Sequence, residues 1–600
     1  MDGVRAKDRA WIIKQYIGRR VINRGQNFRQ FPLNIVGSSI FGRYPKISIE
    51  KTYNMFMSDG FMVPYAGYKI AVNSSDLQNA IEGRAIFTST KFDQLVVVEG
   101  SSVFLVNIQY SQQYEEVTFT QVFRIGTLQT QTGVVYIAEN NKPQIGISDG
   151  TAFYIYDPSL APNPTFVTVP LNFTPGYLTF HDTYFILAAS NDTTYNPPAN
   201  NTWRLSLSNE GYKDSMGNTA WPSTSGNVGL LQTKPDNVQA VVRFPSKGNM
   251  IFVMGSIVTE AWFDTGAQLF PYQRNNQFNI DYGCLQPATV AYMDEFVVWL
   301  AQNEKSGPII VYSDGGMPKK ITTDGIDYLF STLQNPQDSQ GFLYRQDGHL
   351  FYHINFYGDN LSLFYDFTTQ KFYHACDQNF NYFIAAEVAF FKNQYYFITK
   401  NNGNIFAFDT TITTYQDVDS LGNKITHEIP RIRTCANIRT PGQEYQIIND
   451  IGFTIESGET DYQQQDLGEI ILITQAGAHL QTQGDFVGLN YQNDNYMVTQ
   501  ANEYLVSQQE SPESVATLIA QQNANTGTSN LSLPHVDLSI STDGGATFGN
   551  EWAYYLPPIG HRKNRLMWWQ AGIVNDFVPQ FKFWGMGRFV VTDGEVNVRV

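Results

Sequence analysis

The sequence predicts an all-β fold: a β-propeller of six or seven degenerate blades, then a C-terminal antiparallel β-sandwich or platform that carries a long insertion. Three observations carry that expectation. First, from about residue 84 an apolar run, a polar turn and a second apolar run alternate, as in LVVVEGSSVFLVNI (95–108), MIFVMGSIVTEAWFD (250–264) and FLYRQDGHLFYHINFYGDNLSLFYD (342–366). Short β-branched and aromatic runs bounded by Gly, Asn or Asp are hairpin signals. Second, several units close on an aromatic–Asp step, at Tyr156–Asp157, Phe263–Asp264, Tyr365–Asp366 and Phe408–Asp409. A recurrence of about 40–50 residues with no helix between is the mark of propeller blades. Third, aromatics make up 14% of the 600 residues and charged residues only 16%, which favours strands and excludes a coiled coil or a charge-laced bundle.

Taken in order, the chain divides into a basic arm with a short helix (1–45), the propeller (46–430) and a C-terminal β domain (431–600) with an inserted lobe at 459–533. Residues 1–29 carry Arg5, Lys7, Arg9, Lys14, Arg19, Arg20, Arg24 and Arg29 against Asp2 and Asp8, a net charge of +6. The whole chain carries −16, so the remainder holds −22. Ile13, Ile17 and Val21, with Ile12 and Tyr16 alongside, follow the 3–4 spacing of an amphipathic helix. A basic arm on an acidic body suits docking on a neighbouring acidic subunit better than it suits DNA. The bland alternative is a solvated arm packed on its own body. The acidic body itself should repel nucleic acid.

Within the propeller region, 191–249 is dense in turn formers (NDTTYNPPANN, SMGNTAWPSTSGN) and reads as a long loop. After residue 430, alternating strands are expected at 447–456, 536–541, 565–574 and 580–591. The stretch 459–533 is rich in Gln, Asn and Gly. It reads as an inserted lobe or long loop with some strand content, since loops of that length usually carry function or mobility. Cys284, Cys376 and Cys435 lie far apart without a CxxC pair, so neither a disulfide framework nor a zinc site is expected. No apolar run approaches the 18 residues of a membrane span. Charges spread through residues 1–20, without a small-residue cleavage site, predict no signal peptide.

Each chemical motif has a plainer reading. GISDG (146–150) fits G-x-S-x-G, but a strand follows where a nucleophile elbow needs a helix, so Ser148–Asp149–Gly150 reads as a turn. His349 and His353 sit four apart in a segment that alternates like a strand, which sets them ~13 Å apart, too far for one metal. DVDSLGNKITHE (417–428) places Asp417, Asp419, Gly422 and Glu428 as in a calcium loop. Leu421 stands where an oxygen donor belongs, and a hairpin turn is the alternative. STDGGATF matches an Asp-box through Ser541, Asp543, Gly545, Thr547 and Phe548, a device that caps a hairpin. No catalytic residue, cofactor or metal ligand set is assigned, and the chain is not expected to be an enzyme.

The order of segments resembles a known family. KISIEKTYNMFMSDGFMVPYAGYKIAV (46–72), MIFVMGSIVTEAWFDTG (250–266), AYMDEFVVWLAQNEKSGPIIVYSDGGMPKKIT (291–322), DGHLFYHINFYGDNLSLFYDFTTQKFYHAC (347–376) and LSISTDGGATFGNEWAYYLPPIGHRKNRLMWWQAG (538–572) follow one another. That order is similar to the packaged-DNA stabilisation proteins, the tail hub or nozzle of short-tailed bacteriophages. The basic arm and the 459–533 insertion depart from the smaller relatives. The resemblance implies a virion protein made in the host cytoplasm, assembled as a homo-oligomer, a hexameric ring, below the portal and its adaptor. It implies contact with a tail fibre or tailspike and a needle or plug protein. Genomic DNA would pass through the channel without sequence-specific binding, and the ring would hold the genome until ejection. An acidic lumen suits that passage, because DNA slides past without being gripped. The rival reading is a carbohydrate-active or glycan-binding β-propeller, a hydrolase or an adhesin, which would need paired carboxylates in a cleft.

Overall fold

The computed structural model describes residues 28–42, 50–72, 77, 82–111, 116–159, 165–214, 216–244, 246–268, 270–293, 295–418, 424–439, 445–457, 472–473, 479–480, 534–556, 563–585 and 587–599. The chain is all-β and carries a β-propeller. Blade one runs from Gly83–Ser89 through Gln94–Glu99 and Ser102–Ser111 to Glu116–Thr127, each strand antiparallel to the last. Blades two (136–169), three (174–230) and four (238–280) repeat the four-stranded meander. Blade five (283–320) splits its first strand into Gly283–Cys284 and Ala291–Met293, both paired to Phe296–Gln302. Blade six spans Ser339–Gln346 to Lys371–His374.

Blade seven is made from both halves of the chain. Its strands Ala385–Phe391, Gln394–Thr399 and Ile405–Asp409 take their fourth neighbour, Gly67–Val72, from the N-terminal side, with Gly67 opposite Asp409. That makes seven such sheets among the described residues, and the last closes the ring. Apolar clusters fill the spaces between blades. Leu95, Val97, Tyr396 and Ile398 join blades seven and one, and Trp203, Val253, Trp262 and Trp299 lie across blades three, four and five.

The aromatic–Asp steps have one physical cause. Each ends the third strand of its blade, where the carboxylate accepts from the amide two residues on: Asp157 from Ser159 (2.9 Å), Asp264 from Gly266 (2.8 Å), Asp366 from Thr368 (2.9 Å), Asp409 from Thr411 (2.8 Å). This Asx turn satisfies amides that a strand end leaves orphaned. The repeat visible in sequence is a repeat of turn chemistry.

Two differences from expectation concern blade boundaries. The stretch 191–249 is not one long loop. It supplies Thr202–Leu205 and Val228–Leu230 to blade three and Val238–Arg243 to blade four. These strands are short and flanked by turn formers, so their periodicity is weak, yet Trp203 is fully buried. A helix at Asp324–Ser331 also stands between blades five and six, seated by buried Ile326 and Phe330.

The C-terminal residues form a two-sheet β-sandwich. One sheet orders Phe28–Leu33, Gly594–Arg599, Gln446–Ser457, Phe589–Val591, Phe61–Pro64 and Met55–Ser58, with Lys563–Val574 on the other edge of Gln446–Ser457. The second orders Lys51–Tyr53, Arg431–Thr434, Val578–Trp584, His535–Ser541 and Trp552–Tyr555. Leu33, Ile451, Phe453, Leu538, Phe581 and Val596 fill the space between. Residues 28–33 and 51–64 therefore serve this sandwich. The second sheet continues into blade six, where Tyr53 lies parallel beside His374. Among the described residues no helix is long and apolar enough to cross a membrane.

Candidate functional site: the propeller–sandwich junction and the propeller axis

The junction is knitted by the chain's early residues. Asn54 sits in the left-handed region (φ 51°), a conformation Asn tolerates better than most side chains. Its amide donates to the carbonyls of Cys376 (3.1 Å) and Pro430 (2.9 Å), and its own oxygen accepts from the Cys376 amide (3.1 Å). One buried side chain thus ties the N-terminal segment, the end of blade six and the entry to the sandwich. Arg433, fully buried, donates to the carbonyls of Ile35 (2.8 Å), Ser38 (3.0 Å) and Asn34 (3.3 Å) and pairs with Glu50 at 2.6 Å. Gly37 permits this wrap, because a Cβ there would lie 2.1 Å from the guanidinium.

Blade six faces the same junction. His349 meets Asp366 (2.9 Å) and Ser58 (3.1 Å), while Gln346 accepts from the Ala66 amide (3.0 Å). His353 is fully buried, stacked on Phe342 at 4.9 Å, and burial pushes it down to about 3. The two histidines therefore do separate structural work. Between blades six and seven lies a recess of about 330 Å³ bordered by Tyr344, Asp347, Tyr395 and Asp409. Its carboxylates are engaged, Asp347 by Arg588 (2.7 Å) and Asp409 by Lys69 (2.9 Å).

At the axis, residues from four blades come within electrostatic reach: Tyr136 and Tyr177 (ring centroids 4.8 Å apart), Tyr292, and Glu387. Glu387 accepts from the Ile86 amide of blade one at 3.0 Å, so it bridges the closing blade and the first. Burial lifts it to about 8. Glu99, near the same closure, is also raised to about 8 by burial. None of these residues stands in a motif, and only the three-dimensional ring brings them together.

The motifs read from sequence are placed as follows. Ser148 donates to the Gly176 carbonyl (2.7 Å), and Asp149 accepts from the amides of Thr151 and Ala152, which makes GISDG a turn between paired strands. The calcium-loop alternative is replaced by a hairpin: Thr414–Val418 pairs with Lys424–Glu428, which sets Asp417 opposite Ile425 and Glu428 opposite Thr414. Asp419 and Gly422 lie outside the described residues. Among the described residues no group of acidic, His or Cys side chains could hold a metal ion. In the Asp-box, Asp543 accepts from the amides of Ala546 and Thr547 (3.0 Å each) and the Thr547 hydroxyl (2.7 Å), and these bonds hold it well below the usual carboxylate range. Ser541 accepts from the Gly545 amide at 2.7 Å. The turn joins His535–Ser541 to Trp552–Tyr555, at the edge of the sandwich. Of the basic residues, Arg29 lies exposed on an edge strand. Arg5, Lys7, Arg9, Lys14, Arg19, Arg20 and Arg24 lie outside the described residues, as does nearly all of 459–533.

Residues 219–413 match the family model described as Bacteriophage P22 Gp10, beta-propeller. The matched span runs from the end of blade three through blade seven, including Glu387 and the His349–Asp366 pair. The match covers about a third of the chain, and over that span the propeller is similar to this bacteriophage family. No curated protein sequence matches the chain. Three solved structures overlap it in part. The N-terminal domain of Nup159 has a TM-score of 0.35 at 11% identity, over 59% of this chain and 96% of that one. The extracellular domain of the putative one-component system BT4673 from B. thetaiotaomicron has a TM-score of 0.35 at 11% identity, over 61% and 45%. BamB from Moraxella catarrhalis has a TM-score of 0.30 at 9% identity, over 54% and 94%.

Proposed function

We propose that this chain is a subunit of a short phage tail: several copies, six on the family resemblance, form a hub or nozzle ring that extends the portal channel, retains the packaged genome and gates its ejection. The observation that carries the reading is the match of residues 219–413 to the Gp10 propeller family. The axis adds to it. Tyr136 and Tyr177 of neighbouring blades lie with ring centroids 4.8 Å apart there, and Glu387 reaches across to the Ile86 amide, so side chains occupy the axis of the single propeller. DNA would therefore run through an opening shared by several copies. The excess of carboxylates over the body would repel phosphate along that wall and keep the genome free to move.

The proposed neighbours are the portal with its adaptor, a tail fibre or tailspike, and a needle or plug protein. Mass photometry of the purified chain, alone and with adaptor and portal, tests the reading. A hexamer on the connector is expected. A persistent monomer that cleaves glycans would replace it with the hydrolase alternative. The basic arm would dock on a neighbouring subunit, so Arg19→Glu with Arg20→Glu should lower the yield of infectious particles. Unchanged yield would remove that role.

A further inference from the structure

Among the described residues, the first sheet of the sandwich exposes four large apolar side chains on the face turned away from the core. Ile447 and Ile573 stand directly opposite each other on neighbouring strands, 39% and 67% exposed, so their Cβ atoms lie about 5 Å apart. Trp569, 65% exposed, is on the same strand as Ile573, and Tyr445, 63% exposed, precedes Ile447 by two residues. Single exposed apolar residues are ordinary, but contiguous ones mark a contact surface. Core residues of the same strands, Ile448, Trp568 and Val574, point the other way into the sandwich.

The register says what lies beside the patch. Across the sheet, one row reads Ile573, Ile447, Arg599, Phe28. The N-terminal arm therefore leaves the sheet at the end where the patch is, three strand spacings or ~15 Å from Ile573. Residues 22–27 span up to ~20 Å when extended, which is enough to cover that distance. A helix over residues 12–21 would be ~15 Å long, and the patch from Ile447 to the level of Trp569 runs ~10 Å along the strands. A helix this short is marginal in water and depends on packing its apolar stripe against a surface. Ile13, Ile17 and Val21 form such a stripe.

We infer that the exposed face around Ile447, Trp569 and Ile573 is the seat of the N-terminal arm, which lays its Ile13–Ile17–Val21 stripe on it and turns its arginines outward. The inference stands apart from the phage reading, because it rests only on the patch, the register and the arm's pattern. In a closed assembly the same seat serves an arm from the next copy.

Cysteine cross-linking of the full chain tests it. The native Cys284, Cys376 and Cys435 are buried and do not compete. Ile17→Cys with Ile573→Cys, treated with a short bis-maleimide, should link several-fold faster than Ile17→Cys with Phe390→Cys, which places the second thiol at an exposed propeller site. Monomer-sized linked product means the chain's own arm, and a ladder means exchanged arms; either supports the seat. Adding Ile13→Asp should abolish the preference for residue 573. Equal linking at 573 and 390, linking that survives Ile13→Asp, or Ile573→Cys linking only to its copy in another chain would each overturn the inference.

Discussion

Asn54 and Arg433 show how much of this architecture depends on single polar side chains with distant partners. Asn54→Ala removes the side chain's hydrogen bonds to Cys376 and Pro430 and leaves alanine at positive φ, an expected loss of about 2–4 kcal/mol. Arg433→Met strands Glu50 and three carbonyls, with a cost of roughly 3–5 kcal/mol. Chemical denaturation measures both, and a loss under about 1 kcal/mol would refute the clamp. Glu387 supplies a pH test. Lifted to about 8 by burial, it stays protonated in the native chain, whereas unfolding lets it ionise from about pH 4.5. Between those values the unfolded state holds fewer protons, so stability falls as pH rises. Glu387→Gln keeps an acceptor for the Ile86 amide and removes that loss. Its melting temperature should match the parent's near pH 4 and exceed it increasingly toward pH 8. A pH-independent offset would contradict the assignment. Buried His353, pushed down to about 3, acts in the opposite sense, since acid below about pH 6.5 protonates it only in the unfolded chain.

Strand Gly67–Val72 is the element on which closure depends. It lies between Ile405–Asp409 and the parallel strand Thr414–Val418, and a Cβ on Gly67 would meet the Thr414 carbonyl at 2.3 Å. Gly67→Ala should push those strands apart, lower the melting temperature by several degrees and raise amide exchange in blade seven. Gly248→Ala, which meets nothing within 4 Å, should change little. Equal effects would mean that this strand does not bear the closure. The hairpins themselves were readable, because strand, turn and strand are neighbours in sequence and period-2 patterning is local. The closing strand was not, since Gly67 pairs with Asp409, 342 residues later, and no local signal names so distant a partner. Blade three was hidden for another reason: Thr202–Leu205 is too short to show a period. At the junction, Asn54 lay in a segment whose resemblance to the phage family was visible, but its partners Cys376 and Pro430 were not.

For the whole molecule, the described residues 50–72 run from the sandwich through the junction to the last blade. Propeller and sandwich should therefore lose structure together. Near-ultraviolet dichroism and tryptophan fluorescence are expected to follow one thermal transition, and two separated midpoints would show the halves to be independent. The late pairing of Gly67–Val72 also has a consequence for synthesis. At about 5–20 residues per second, that strand leaves the ribosome roughly 20–70 s before Ile405–Asp409 exists to receive it. Throughout that interval its backbone amides and carbonyls form an open edge, free to pair with any other nascent copy on the same message. Translation speed and chaperone supply should thus decide how much of the chain becomes closed rings and how much becomes entangled strands.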